Sequence, residues 1–243
     1  MEDLQEQLNI DRSRTFISGF NRPNIHLSST TKKGDGYDQI KEVVYKRKND
    51  SGIIFTATKK EADELHAKLK RDGFNVGKYH ADMKNEDREK QQNLFMTDKT
   101  KIMVATTAFG MGIDKSDIRY TIHSSMPYSV ANYAQEFGRA GRDGEAAEAI
   151  IFYKFAEINS RLLFMEKYKE KDQGMGILKF KEVVDVVSST SCLRTAISKK
   201  FGEELEQDCG HCSSCDAKQH NIKEPYTLDL SKFGHDFLET MDK

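Results

Sequence analysis

Between Gln135 and Gly144 the chain reads QEFGRAGRDG, which sets Arg139 and Arg142 three residues apart among glycines. A guanidinium is planar, permanently charged and able to hold phosphate oxygens through two parallel hydrogen bonds. Gly138, Gly141 and Gly144 let the backbone turn tightly and come close to a ligand. The pattern fits a segment that stabilises charge on a polyphosphate.

A second group of residues points to a metal. The four cysteines, Cys192, Cys209, Cys212 and Cys215, follow the spacing C-x16-C-x2-C-x2-C. Two consecutive x2 steps can turn three thiolates toward one point, and the fourth completes a tetrahedral, structural zinc site. A disulfide is the rival reading, weakened by the lack of a secretory signal. Cys-x-x-Cys redox chemistry lacks the strand and helix around it that such sites use. His211 could replace a thiolate, although four sulfurs already complete the coordination and leave no open position for metal-assisted hydrolysis.

The elements that must hold these residues alternate along the chain. Gly52–Phe55 reads as a buried strand, and Thr58 with Glu61 has capping-box spacing ahead of a helix through Arg71 with Ala62, Leu65 and Leu69 on one face. Strands are predicted over Phe74–Tyr79, Ile102–Ala105, Arg119–His123 and Ala149–Tyr153, with helices over Glu86–Phe95 and Ser129–Phe137. This rhythm predicts an α/β fold, a mainly parallel sheet with helices on both faces. Ligand sites in such sheets gather beyond the carboxyl ends of the strands, where both the loop after Ala105 and the arginine segment are expected. After Tyr153 the pattern turns helical, over Ile158–Tyr168, Gly176–Val187 and Leu193–Phe201. It predicts a small helical zinc-binding domain that depends on the metal for most of its stability.

Composition limits the classes. The chain has 243 residues, 37% hydrophobic and 32% charged, with a net charge of -1, so contact with nucleic acid must come from local patches. No apolar run approaches the roughly 18 residues of a membrane span, and the N-terminus is too polar for a secretory signal. An intracellular protein with no membrane partner is expected.

The ordered set FNRPNI (20–25), GIIFTAT (52–58), YHADM (79–83), VATTAFGMGIDKSDIR (104–119), QEFGRAGRDG (135–144) and the four cysteines resembles the RecQ-type DNA helicases over roughly residues 20–220. The resemblance implies a linker from a first motor domain at 1–25, a second RecA-like motor domain at 26–155, and a four-cysteine zinc domain at 156–222. A further module or tail would begin at 223–243, where an apolar helical pattern starts and breaks off as if truncated. It also implies 3′-to-5′ DNA unwinding driven by ATP hydrolysis, in DNA repair and recombination. Gln135, Arg139 and Arg142 would face nucleotide held by the first domain, with Arg142 as the arginine finger. Thr106, Thr107, Gly110, Gly112 and Asp114 would link the DNA track to the ATP cleft, Asp114 orienting an arginine or a turn. His80 would either approach DNA or serve as a partnered histidine at a strand end.

Two departures qualify this. The sequence contains no G-x-x-x-x-G-K-[ST] loop, since around Gly77-Lys78 the first and last positions are Asp72 and Tyr79. Asp63-Glu64-Leu65-His66 spells a magnesium-binding box, but within an amphipathic helix, which makes it charged helix surface. ATP and Mg2+ are therefore expected only with the first motor domain, and DNA and that domain are the expected partners. The chain alone should be inactive; the alternative is a non-catalytic, zinc-stabilised module that binds DNA or a helicase.

Overall fold

The computed structural model of the chain describes residues 21–109, 113–167 and 174–220. Strands β1 (Ile25–Thr31), β2 (Ser51–Phe55), β3 (Val76–Tyr79), β4 (Ile102–Ala105), β5 (Ile118–His123) and β6 (Ala147–Tyr153) form one sheet. Every pairing is parallel, in the order β1-β6-β5-β2-β4-β3. The described helices are α1 (Tyr37–Lys46), α2 (Lys59–Arg71), α3 (Asn85–Met96), α4 (Val130–Phe137), α5 (Phe155–Lys167), α6 (Gly174–Ser188), α7 (Leu193–Lys200) and α8 (Ser213–Gln219).

Alternation along the strands divides the core in two. Ile54, Ile102, Val104, Tyr120 and Ile122 face one side, where Ile40 and Val44 of α1 and Ala62, Leu65 and Leu69 of α2 cover them. Ile53, Phe55, Met103, Ala105, Ala149 and Ile151 face the other, under Phe95 of α3 and Tyr133 and Phe137 of α4. The strand order explains this division. Steps from β1 to β2 and from β2 to β3 run one way along the sheet and pass over the first face. The steps back through β4, β5 and β6 pass over the second, as a single hand of parallel crossover requires.

Sequence expectations and structure differ at both ends. Residues up to 25 were expected as linker, yet Ile25 already opens β1, whose Ile25 and Leu27 are buried, and α1 was not anticipated. Strand β1 lies at an edge of the sheet with β6 as its one neighbouring strand among the described residues, so its alternate positions stay partly open and the apolar signal is short. Among the described residues, the helical region shares the core of the sheet. Ile177, Phe180, Val183, Leu193 and Ile197 join the cluster on the sheet's second face, and α6 and α7 pack on α4. Helix α8, also unanticipated, packs beside β1. Burial against the sheet therefore contributes to this region's stability beside any bound zinc. The break-off pattern after residue 223 lies outside the described residues.

Local signals were sound elsewhere. Thr58 caps α2 by accepting the Glu61 N–H at 3.2 Å, while the Glu61 carboxylate accepts the Ala57 N–H at 3.1 Å, one residue earlier than a standard capping box. On β2, Gly52 lies opposite Tyr120 of β5, and a Cβ at Gly52 would sit 2.0 Å from the ring's Cζ. Gly52→Ala should therefore destabilise the zinc-loaded chain by about 1–3 kcal/mol in urea unfolding. A loss below about 0.5 kcal/mol, the scale of an inert surface change, would show that the ring is not held over this glycine.

Candidate functional site

The arginine segment follows α4, which Ser129 caps by accepting the Asn132 N–H at 3.0 Å. Near the end of this helix, His123 Nε2 and Glu136 Oε2 pair at 2.8 Å with both side chains buried, and the His123 ring stacks on Phe55. The chain then turns. Gly141, at φ +57°, needs the left-handed conformation, and a Cβ there would meet Asn24 Nδ2 at 2.5 Å.

This turn lies at the amino edge of the sheet, not the carboxyl edge. Gly141 N–H donates to Ile118 O at 2.8 Å, at the start of β5, and the segment leads directly into β6. The expected placement is wrong for a simple reason: a helix that follows one parallel strand must deliver the chain to the beginning of the next.

Arg139 and Arg142 have different surroundings. Arg139 is buried; its loss of solvation, followed by the nearby Arg142 charge, lowers its proton affinity, and Glu136 acts in the opposite direction. Arg142 is partly open and donates through Nη1 to Asp114 Oδ1 at 2.8 Å and to Ile113 O at 3.2 Å. Two guanidiniums kept close favour an anion between or beside them. Gln135 is exposed and borders a separate cavity of about 450 Å³, shared with Arg22, Arg194 and Phe201.

The connection between β4 and β5 is described at its two ends, Thr106–Phe109 at one edge of the sheet and Ile113–Asp117 at the other. Thr106 leaves β4 at the carboxyl edge with its N–H on Tyr79 O at 3.2 Å, and Thr107 is exposed beside it. Phe109 anchors this end between the rings of Tyr79 and Phe95, and the other end delivers Asp114, 88% exposed, to Arg142. Next to it, the buried Lys115 pairs with Asp98 and Asp117 at 3.2 and 2.9 Å. Lys101, with Lys115 and Ser51, holds the Asp98 carboxyl down to about 2. Gly110 and Gly112 lie outside the described residues.

His80, at the end of β3, is buried and directed at Asp63 Oδ1, 3.4 Å away, rather than toward solvent. Asp63 also accepts from Lys78, which accounts for the aspartate of the D-E-x-H string within α2. The carboxyl edge of β1, β6, β5 and β2 carries a cavity of about 710 Å³ that the sequence did not reveal. Its charge is mixed, because Lys32 pairs with Glu157 and Lys68 with Asp35.

The metal-ligating set comes together fully. The Sγ atoms of Cys192, Cys209, Cys212 and Cys215 all lie within 4.8 Å of one another, with separations of 3.5, 3.9 and 3.9 Å among linked pairs. A tetrahedron with Zn–S bonds of about 2.3 Å has edges of about 3.8 Å, which the three linked separations match and which the remaining pairs, within 4.8 Å, reach by closing at most about 1 Å. Cys209 N–H points at Cys192 Sγ and His211 N–H at Cys209 Sγ, both at 3.3 Å, which suits thiolate acceptors. Burial, then the adjacent Cys212 sulfur, pushes the Cys215 thiol far up when no cation compensates. His211 sits outside this set, edge-on to His26, whose Nε2 meets Asp216 at 2.9 Å. Backbone bridging between Leu27 and Cys212 joins the centre to β1.

Sequence reasoning missed the residues that support these sites. Arg22 donates to the carbonyls of Gly138, Ala140 and Gly141 at 3.1, 3.1 and 2.7 Å, and Asn24 donates to those of Gly141 and Glu145 at 2.8 and 2.9 Å. From α7, the buried Arg194 reaches Asn21 Oδ1, Arg22 O and Ile25 O at 2.9, 2.8 and 2.5 Å. The available signal was the change from polar NRPN to the alternating Ile25 and Leu27.

Known proteins share both halves of this arrangement. Residues 35–144 match the helicase conserved C-terminal domain, and residues 155–216 match the RecQ zinc-binding family. The ATP-dependent DNA helicase RecQ of Bacillus subtilis is 38% identical over 216 residues, 88% of this chain and 36% of that protein. ATP-dependent DNA helicase Q-like 2 of Arabidopsis thaliana is 37% identical over 95% of this chain and 33% of its own length. The chain thus spans about a third of these relatives. Among solved structures, the C-terminal domain of the DEAD-box protein Dbp5 aligns with a TM-score of 0.50 at 26% identity, covering 61% of this chain and 87% of that one. With a RecA-like parallel sheet followed by a RecQ zinc-binding region, the chain belongs to the RecQ-type helicases, of which it represents the C-terminal helicase and zinc-binding part.

Proposed function

We propose that the chain is the second half of an ATP-driven DNA motor. Arg142 completes a nucleotide site whose phosphate loop and Mg2+ belong to a first motor domain, and Arg139 and Gln135 contribute to the same face. The observation that carries this is the Arg142–Asp114 contact, which places the arginine at the end of the same loop that starts at Thr106 and Thr107. A change at the nucleotide then has a direct mechanical route to the opposite edge of the sheet.

At that opposite edge, Thr106 and Thr107 offer hydroxyls and backbone N–H groups to a DNA backbone, with no base-specific reading. A buried His80 supports the sheet there rather than gripping DNA. Zinc, bound by the four thiolates, supplies no chemistry and fixes α8 and the strand next to it. An all-thiolate site suits a reducing, intracellular compartment. Unwinding with 3′-to-5′ polarity in DNA repair and recombination is the role this reading assigns to the whole motor.

Three measurements test the reading. The chain alone should show no DNA-stimulated ATP hydrolysis, whereas fusion of the first motor domain of the Bacillus subtilis relative ahead of residue 21 should create it. Arg142→Ala in that fusion should lower kcat by about a thousandfold or more, the usual scale for an arginine finger. Hydrolysis by the chain alone that survives Arg142→Ala would overturn the proposal. Freshly purified protein should carry close to one zinc, and Cys212→Ser should release it and expose β1 and α8 to hydrogen exchange; metal-free native protein would contradict the zinc assignment. Affinity for single-stranded DNA should fall on the order of tenfold or more between about 50 and 200 mM salt, with little dependence on sequence. A flat salt response would argue against backbone contact.

A further inference from the structure

The turn that carries Arg139 and Arg142 closes part of its own hydrogen bonding, with the Gly144 N–H on Gly141 O at 3.0 Å, and takes the rest from elsewhere. Its carbonyls at Gly138, Ala140, Gly141 and Glu145 accept five N–H contacts from Arg22 and Asn24, more than 110 positions earlier in the chain. Gly141 O receives both side chains in addition to the Gly144 N–H at 3.0 Å. No other residue type could repeat the Arg22 fork: lysine is a point charge and could not span three carbonyls in fixed geometry.

The segment that bears Arg22 is itself held from the zinc side. Arg194, one residue into α7 from zinc ligand Cys192, is buried and spends its guanidinium on Asn21, Arg22 and Ile25. From the other side, Ser29 N–H donates to Ser213 Oγ at 3.1 Å and Ser29 Oγ–H to Val187 O at 2.6 Å. A continuous path therefore runs from the cysteine centre through Arg194 to the strand that enters the sheet, and from that strand through Arg22 to the arginine turn.

We propose that Arg22 and Arg194 are positioning residues for nucleotide hydrolysis: Arg22 sets the geometry of the turn that presents Arg142, and Arg194 makes that setting depend on the docked zinc region. The inference rests on the proposed role of Arg142 as a finger. Neither residue needs to touch nucleotide. The same arrangement fixes the chain from Asn21 onward to the arginine turn, so movement of any domain attached before that point would pull directly on the finger.

Two arms separate the failure of this inference from failure of the functional reading. In the chain alone, hydrogen exchange is read on the amides of Gly138–Glu145. Arg22→Ala and Arg194→Ala should each accelerate it at least tenfold, with zinc content and exchange in β2 and β4 unchanged. Asn24→Ala, a gentler change that keeps the Arg22 fork, should give a smaller acceleration at Gly141–Glu145. Unchanged exchange in the turn, or a uniform increase across the sheet, would overturn the positioning role whatever the ATPase does.

The second arm uses the fusion with the first motor domain. Arg22→Ala should lower kcat for ATP about tenfold to a hundredfold, as expected for a misplaced catalytic group, while KM for ATP and DNA affinity stay within about twofold. Arg22→Lys should not restore kcat. On an Arg142→Ala background, Arg22→Ala should cost nothing further, because the two act through one group. Independent, multiplicative losses, or a wild-type kcat in Arg22→Ala, would overturn the inference.

Discussion

The constraint on which the arrangement turns is the need to satisfy the backbone of a tight, arginine-bearing loop. The turn closes few hydrogen bonds of its own, Gly144 N–H to Gly141 O among them, and unpaired carbonyls in a partly buried place cost about 1–3 kcal/mol each. Arg22 and Asn24 supply the donors. By doing so they bind the segment ahead of β1 to the arginine turn, and Arg194 extends that bond to the cysteine-bearing region. The motor sheet and the zinc helices are consequently one packed body with one shared cluster on the sheet's second face.

The sheet's topology then separates two kinds of chemistry. Parallel strands place loop residues such as Thr106 at one edge and the arginine turn at the other, roughly a strand length apart. Only the connection between β4 and β5 lacks a regular element among its described residues, and it carries threonines at one end and Asp114 at the other. Phe109 and Lys115 anchor the two ends in the core and in a charged niche.

Much of the fold was legible because its signals are local. Ile102–Ala105 is a buried parallel strand that reads as an uninterrupted apolar run, and Thr58 with Glu61 marks the start of α2 as the capping chemistry predicts. The four cysteines converge as their spacing implied. What stayed hidden is non-local. Nothing near Arg22 in sequence shows that its partners are carbonyls around position 140, and β1 looks like linker because an edge strand shows only two buried apolar residues. The arginine turn was assigned to the wrong edge since motif order along the chain does not say where a crossover ends. The zinc helices looked autonomous since their apolar stripes do not reveal that their partner is the sheet.

The central claim is that Arg142 completes a site on another domain, and it is tested most directly by the association of this chain with a separately produced first motor domain. Affinity should be measured with ADP alone and with ADP plus a γ-phosphate mimic such as beryllium fluoride. Association should be tighter with the mimic, and Arg142→Ala should abolish the gain. An equal gain in the Arg142→Ala variant, or no gain in the unaltered chain, would contradict it.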